Sequence, residues 1–299
     1  MKFNKIKYIE RKTNEIKVEN VPGEGFLKFL YYNPLGELPL NLVVKKKFLS
    51  EIYGRTMDSP KSKDKIQSFV EEHEINMDES VKTIDEFTSF NDFFVRKLKA
   101  GSRKIADGED EVASPADGKV LAYKDIKLKD EFFLKGDRFT LEEFLGDAKL
   151  AEKYEGGVFL IVRLAPVDYH RFHFPIDGII GESRLIEGDY YSVSPHAIRR
   201  NFRIYCENKR EYAELKNERI GDMILSEIGA TMVGGIEQTY RAGSKVTKGE
   251  EKGYFYFGGS SCILLFQKDK VKIDEDIIKN TKNGIETKVY MGERIANSL

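Results

Sequence analysis

The chain has 299 residues, with 49 Lys and Arg against 50 Asp and Glu and a formal net charge of −1. Apolar residues make up 40% and aromatic residues 12%, enough for a sizeable core, which excludes a wholly disordered chain. The even charge balance, with no basic tail or stripe, argues against a protein that works by neutralising phosphates, so no nucleic-acid partner is expected.

Two cysteines, Cys206 and Cys262, are too few for a disulfide framework or a cysteine zinc site. A reducing compartment is the plain reading. The longest apolar runs, Val158-Phe-Leu-Ile-Val162 and Cys262-Ile-Leu-Leu-Phe266, are five residues long, whereas a spanning helix needs about twenty. The first twenty residues contain no apolar stretch of signal-peptide length, so neither a transmembrane helix nor secretion is expected.

Residues 1–20 alternate apolar and polar positions on either side of Asn14, which predicts a small hairpin. From Gly25 to Arg96 the spacing becomes helical. Phe26, Leu27, Phe29 and Leu30, then Leu42, Val43, Phe48, Leu49, Ile52 and Tyr53, predict short helices broken at Pro34 and Pro39. Two more helices are expected over residues 62–72 and 89–96. The aromatic residues near Lys28 and Lys45-Lys-Lys47 suit an ordinary core-facing helix with a solvated lysine patch, which pattern alone favours. An interfacial helix on anionic lipid is the alternative.

After Gly101, short apolar runs are punctuated by Gly, Pro, Asp and Asn at intervals that predict antiparallel β structure. One interruption, residues 140–145, carries a capping box in Thr140 and Glu143 and reads as a short helix. The fold class expected is α+β, with a helical N-terminal region packed on a mainly antiparallel β core. Residues 1–100 form the N-terminal hairpin and helical region, and residues 101–299 the β-rich region.

Only four histidines occur, and two lie in Ala165-Pro-Val-Asp-Tyr-His-Arg-Phe-His-Phe-Pro175. Read as extended chain, this segment puts Asp168 and His170 on one face and Tyr169, Arg171 and His173 on the other, so the two histidines serve different partners. A zinc site is disfavoured because histidines at i and i+3 on a strand do not converge, and no metal is expected. Packed core histidines and catalytic histidines remain comparable readings. Asp117, in Ser114-Pro-Ala-Asp-Gly118, is either a turn-forming aspartate or a carboxylate that orients a histidine. Gly258-Gly-Ser-Ser261 lies between two apolar segments as a hairpin turn or as a flexible peptide that presents Ser260 to other groups.

Six blocks occur in order: Phe90-Asn-Asp-Phe-Phe-Val-Arg-Lys-Leu98, Ser114-Pro-Ala-Asp-Gly118, Asp168-Tyr-His-Arg-Phe-His-Phe-Pro175, Ser194-Pro-His-Ala-Ile-Arg-Arg-Asn201, Val233-Gly-Gly-Ile236 and Tyr254-Phe-Tyr-Phe-Gly-Gly-Ser-Ser261. Together they resemble the phosphatidylserine decarboxylases. That resemblance implies a zymogen that cleaves itself between Gly259 and Ser260 and turns Ser260 into a covalent pyruvoyl cofactor, with the two chains of one precursor staying together. Ser261 stands where many relatives carry Thr and keeps the hydroxyl. The pyruvoyl group would form a Schiff base with phosphatidylserine and drive decarboxylation to phosphatidylethanolamine and CO2.

Under this resemblance His173 removes the Ser260 proton, Asp117 orients and stabilises the imidazolium, and His170 protonates the carbanion equivalent. His196 and Ser261 border the substrate pocket. The implied partners are a phospholipid substrate and the membrane surface, with peripheral placement on the cytoplasmic face of the cell membrane. A homodimer is compatible with this reading. Competing functions are a pyruvoyl decarboxylase of another serine-headed lipid, a serine hydrolase using Asp117, His173 and Ser260, and a non-catalytic lipid-binding β module.

Overall fold

The computed structural model describes residues 5–21, 23–33, 54–126, 139–230, 235–258 and 260–299. The expected breaks at Pro34 and Pro39, the apolar positions 42–53, the Lys45-Lys-Lys47 run, Val233-Gly234 and Gly259 lie outside the described residues.

The N-terminal hairpin forms as predicted. Strands Lys7–Glu10 and Glu15–Val18 pair antiparallel, and Asn14 takes the left-handed turn position at φ 58°, which a short polar side chain tolerates better than a branched one. The hairpin is also an edge of the main sheet, because Lys7–Glu10 pairs in parallel with Glu286–Val289.

That sheet runs in the order Lys245–Val246, Gly178–Ile180, Arg210–Lys216, Met223–Ile228, Ser260–Phe266, Val158–Leu164, Gly118–Lys124, Glu286–Val289, Lys7–Glu10, Glu15–Val18, with Arg184–Ile186 also on Arg210–Lys216. All its pairings but one are antiparallel, and together with the helices they make the α+β fold expected.

Both faces of the sheet are covered at its centre, so the central strands read as continuous apolar runs rather than alternating ones. Cys262, Leu264 and Phe266 enter one core with Leu160, Val162, Leu164, Phe172 and Phe255. Ile263 and Leu265 enter the other with Phe159, Ile161, Tyr205 and Phe202. Alternation along a strand therefore sends Ser260 and Ser261 to opposite cores.

The predicted helix over residues 62–72 begins as a 3-10 turn, Pro60–Lys65, and becomes α-helical at Ile66–Glu72. The Ser62 hydroxyl donates to the Met57 and Ser59 carbonyls in that first turn. The capping box at Thr140 is present: its amide meets the Glu143 carboxylate at 2.8 Å, and its hydroxyl accepts from the Glu143 amide at 3.1 Å. Helix Phe90–Phe94, capped by Ser89, completes a third, smaller core of Met57, Ile66, Val70, Phe87, Phe90, Phe93 and Phe94, with Phe257 packed against it. This helical core thereby reaches the chain just before Ser260.

Candidate active site

Ser260 is the first residue of a central strand, in register with Leu164. The chain arrives along Glu251–Phe255, which belongs to a separate three-stranded sheet with Ile236–Gln238 and Arg171–His173, passes through Tyr256, Phe257 and Gly258, and enters the main sheet at Ser260. Gly258 has φ 141°, a conformation closed to most side chains. The Phe257 ring is held edge-on by Phe90 and Phe94, with centroids at 5.1 and 4.9 Å, and its amide donates to Asn91 Oδ1 at 2.9 Å. Ser260 is fully buried, and its hydroxyl has no hydrogen-bond partner among the described residues. Buried hydroxyls are ordinarily paired, so an orphan at this place asks for a reason.

The two histidines have the same fixed tautomer but differ at the other nitrogen. His170 Nδ1 donates to the Asp168 carbonyl at 2.8 Å, and His173 Nδ1 to the Gly249 carbonyl at 3.0 Å. A carbonyl can only accept, so each ring carries its hydrogen on Nδ1 and presents a lone pair at Nε2. For His173 that lone pair accepts from the Tyr169 hydroxyl at 3.3 Å. For His170 it has no partner among the described residues, and the ring lies under Phe94 with centroids 3.9 Å apart. Burial disfavours the charged ring and pushes His170 down to about 3; it lowers His173 as well. Both imidazoles are neutral at physiological pH.

The predicted partition of the histidines is therefore observed, although the extended chain begins only at Arg171. Asp168 sits in a turn instead, its amide donating to the Ala165 carbonyl and its carboxylate accepting from the Ala165 amide. The same carboxylate takes Lys288 at 2.5 Å and Lys119 at 3.3 Å, and these two ammonium groups hold it far below the usual carboxylate range despite its burial.

Asp117 is buried, but its hydrogen bonds go elsewhere than to His173. It accepts from Arg103, with Nη2 to Oδ2 at 2.6 Å, and from the Met291 amide at 2.8 Å. The orienting bonds of His173 come from Gly249 and Tyr169, and Asp117 reaches the ring through its field alone. Arg103 is anchored in turn by Glu79 at 2.7 Å.

His196 is buried on helix Pro195–Ile198, its Nε2 3.2 Å from Glu24 Oε1 and its ring edge-on to Tyr32 at 5.9 Å. Burial lowers its pKa more than Glu24 raises it. Pro195 and Ile198 of this helix line a cavity of about 300 Å³ with Arg163, Tyr205, Leu121 and Tyr123, and Lys7, Arg199 and Lys282 also border it. Ser261 lies on this side of the sheet, in register with Arg163 and beside Tyr205. Arg163 is fully buried between Glu19 at 2.6 Å and Glu286 at 2.7 Å.

Sequence reasoning missed Arg103, Tyr169 and Asn91. The signal for Asn91 was present as a lone amide inside Phe90-Asn-Asp-Phe-Phe94. Tyr169 stood beside the histidines with no feature marking its hydroxyl, and Arg103 is one of many surface-type cations until its partners are known.

A model of the phosphatidylserine decarboxylase family matches residues 90–297. A phosphatidylserine decarboxylase proenzyme of Fusobacterium nucleatum subsp. nucleatum is 65% identical over 297 residues, 99% of each chain. Proenzymes of the same name from Clostridium novyi and Clostridium tetani are 46% and 48% identical over 294 residues, 98% of this chain and 100% and 99% of theirs. The chain belongs to the phosphatidylserine decarboxylase family and is a carboxy-lyase.

Proposed function

We propose that this chain is a proenzyme that cuts itself between Gly259 and Ser260, gains a pyruvoyl group from Ser260, and converts phosphatidylserine to phosphatidylethanolamine and CO2. The observation that carries this reading is the Ser260 hydroxyl, buried and without a partner among the described residues at the start of a central strand, two positions after Gly258. A nucleophile aimed at the preceding peptide has to be free of competing partners, and the Ser260 hydroxyl meets that condition among the described residues. The position also suits a small ketone, shielded from water and anchored by the strand that follows. When formed, that ketone supplies a carbonyl that bonds the substrate amine and takes up the electron pair left by departing CO2.

His173 is assigned the Ser260 proton, which its Nε2 lone pair accepts once the 3.3 Å contact to Tyr169 yields. Asp117 favours the resulting imidazolium through its field. His170 is assigned proton transfer during decarboxylation: its Nδ1 is committed to the Asp168 carbonyl, so the neutral ring would first take up at Nε2 a proton released by the substrate ammonium on condensation and then return it to the carbon that has lost CO2.

The cavity of about 300 Å³ is assigned to the substrate; His196 and Ser261 do not line it themselves, but His196 lies on the helix whose Pro195 and Ile198 do, and Ser261 lies beside its Tyr205. Lys7, Arg199 and Lys282 suit the phosphodiester, and Leu121, Tyr123 and Ile198 the apolar part nearest the head group. Strand alternation aims the Ser260 side chain at the opposite core. Cleavage would make residue 260 a chain end, and the assignment requires that its side chain then turn towards this cavity.

Peripheral attachment to the cytoplasmic face of the cell membrane completes the reading. Helix Glu24–Tyr32 buries Leu30 and Tyr31 but leaves Phe26 and Phe29 about half exposed, next to Lys28. Among the described residues no helix is long and apolar enough to cross a membrane. Purified protein given phosphatidylserine in detergent micelles should release CO2 and form phosphatidylethanolamine, and borohydride treatment should abolish both. Turnover that survives borohydride, or no CO2 at all, would sink the proposal.

A further inference from the structure

The Asn91 carboxamide joins two parts of the chain that are far apart in sequence. Its Oδ1 accepts from the Phe257 amide at 2.9 Å, and its Nδ2 donates to Asp58 Oδ1 at 2.7 Å. The two partners fix its orientation, since an amide N–H must meet the oxygen and a carboxylate must meet the NH2 group. Asn91 is buried, 4% exposed, on a helix otherwise made of core phenylalanines and one half-buried aspartate. An apolar residue here would leave the Phe257 amide unpaired, and an aspartate would face Asp58. Phe257 precedes Ser260 by three positions, and its ring is gripped by Phe90 and Phe94 of the same helix.

We propose that Asn91 is a positioning residue for self-cleavage: it pins the backbone entering Ser260 and so sets the approach of the Ser260 hydroxyl to the carbonyl before it. The proposal rests on the self-cleavage reading above. Its physical basis is that attack within one chain depends on the placement of the reacting atoms to within a fraction of an ångström, and the turn before Ser260 contains glycine, which does not hold a geometry by itself. The helical N-terminal core then has a task in maturation that packing alone does not require.

The experiment follows cleavage of full-length chain made by cell-free translation, alongside its melting temperature. Asn91→Ala should stay folded and cleave more slowly by on the order of tenfold or more. Asn91→Asp should also be slow, because it sets two carboxylates together. The pair Asn91→Asp with Asp58→Asn should recover most of the rate, since the new carboxylate can still accept from the Phe257 amide and the new amide at position 58 restores the link between the two side chains. Ser62→Ala is the control: Ser62 Oγ accepts from the Phe90 amide at 2.8 Å, so its loss loosens the same helix without touching Phe257. That variant should melt lower yet cleave at the wild-type rate. Wild-type cleavage in folded Asn91→Ala, equal slowing in Ser62→Ala, or no recovery in the pair would each overturn the proposal. A wild-type chain that stays whole would refute the self-cleavage reading, and this inference with it.

Discussion

Asp168 and His170 are coupled through a single residue's two ends. The Asp168 carbonyl fixes the His170 tautomer at 2.8 Å, while the Asp168 carboxylate is clamped by Lys288 at 2.5 Å and Lys119 at 3.3 Å. A buried charge cluster thus holds the turn that aims His170 Nε2, which has no hydrogen-bond partner among the described residues.

Removing that carboxylate leaves two buried ammonium groups facing a neutral amide. Asp168→Asn should cost about 3–5 kcal/mol of stability, the range for breaking a buried pair at one end. The folded pKa of Asp168 lies below its unfolded value, so its contribution is present above the unfolded pKa and lost as pH falls below about 4. Urea denaturation of wild type and variant at pH 7 and at about pH 2 checks both points. A variant as stable as wild type would show that the clamp adds nothing.

His170 gives a second, separate pH window. Its folded pKa is about 3 against an ordinary 6.5, so between these values the unfolded chain binds a proton that the folded chain does not. Stability should therefore rise with pH across that window, by about 2 kcal/mol from pH 5 to pH 6.5 for this one group. His170→Gln should flatten the rise. An unchanged slope in the variant would mean that His170 is not the group responsible.

The histidines should separate by step. His173→Ala should accumulate uncut chain, whereas His170→Ala should mature and then turn over at least 100-fold more slowly, the lower range for a lost acid–base group. Asp117→Asn should resemble His173→Ala, and Arg103→Gln should share the defect in part because Arg103 holds Asp117 at 2.6 Å. Gel separation of the chains and a CO2 assay read the two steps independently. Maturation of His173→Ala with failure of His170→Ala to cut would exchange the two roles.

The hairpin, the capped helix at Thr140, the β-rich core and the burial of residues 262–266 were all legible, because each follows from local spacing or an apolar run. The parallel joining of the hairpin to Glu286–Val289 was not, since it is set by partners almost the whole chain apart. Asp117 shows the same limit within the site. Its residue type and turn were readable, but its choice of Arg103 and the Met291 amide over His173 depends on where three distant segments meet.

Membrane attachment can be tested on the exposed face of helix Glu24–Tyr32. Deleting residues 1–60 would also remove two sheet strands and Glu19, the buried partner of Arg163, so point changes are the cleaner test. Phe26→Ser with Phe29→Ser should weaken flotation with anionic vesicles several-fold while leaving the melting temperature nearly unchanged, because both rings are about half exposed. Equal flotation of variant and wild type would move the membrane contact elsewhere.

Intact mass spectrometry of freshly purified wild-type protein, beside Ser260→Ala, tests self-cleavage at Ser260 most directly. The expected result is two associated chains, residues 1–259 and 260–299, the shorter lighter by one ammonia than the plain peptide and reactive towards borohydride, with Ser260→Ala remaining one chain. A wild-type protein found as a single uncut chain of 34.4 kDa that still releases CO2 from phosphatidylserine would contradict it.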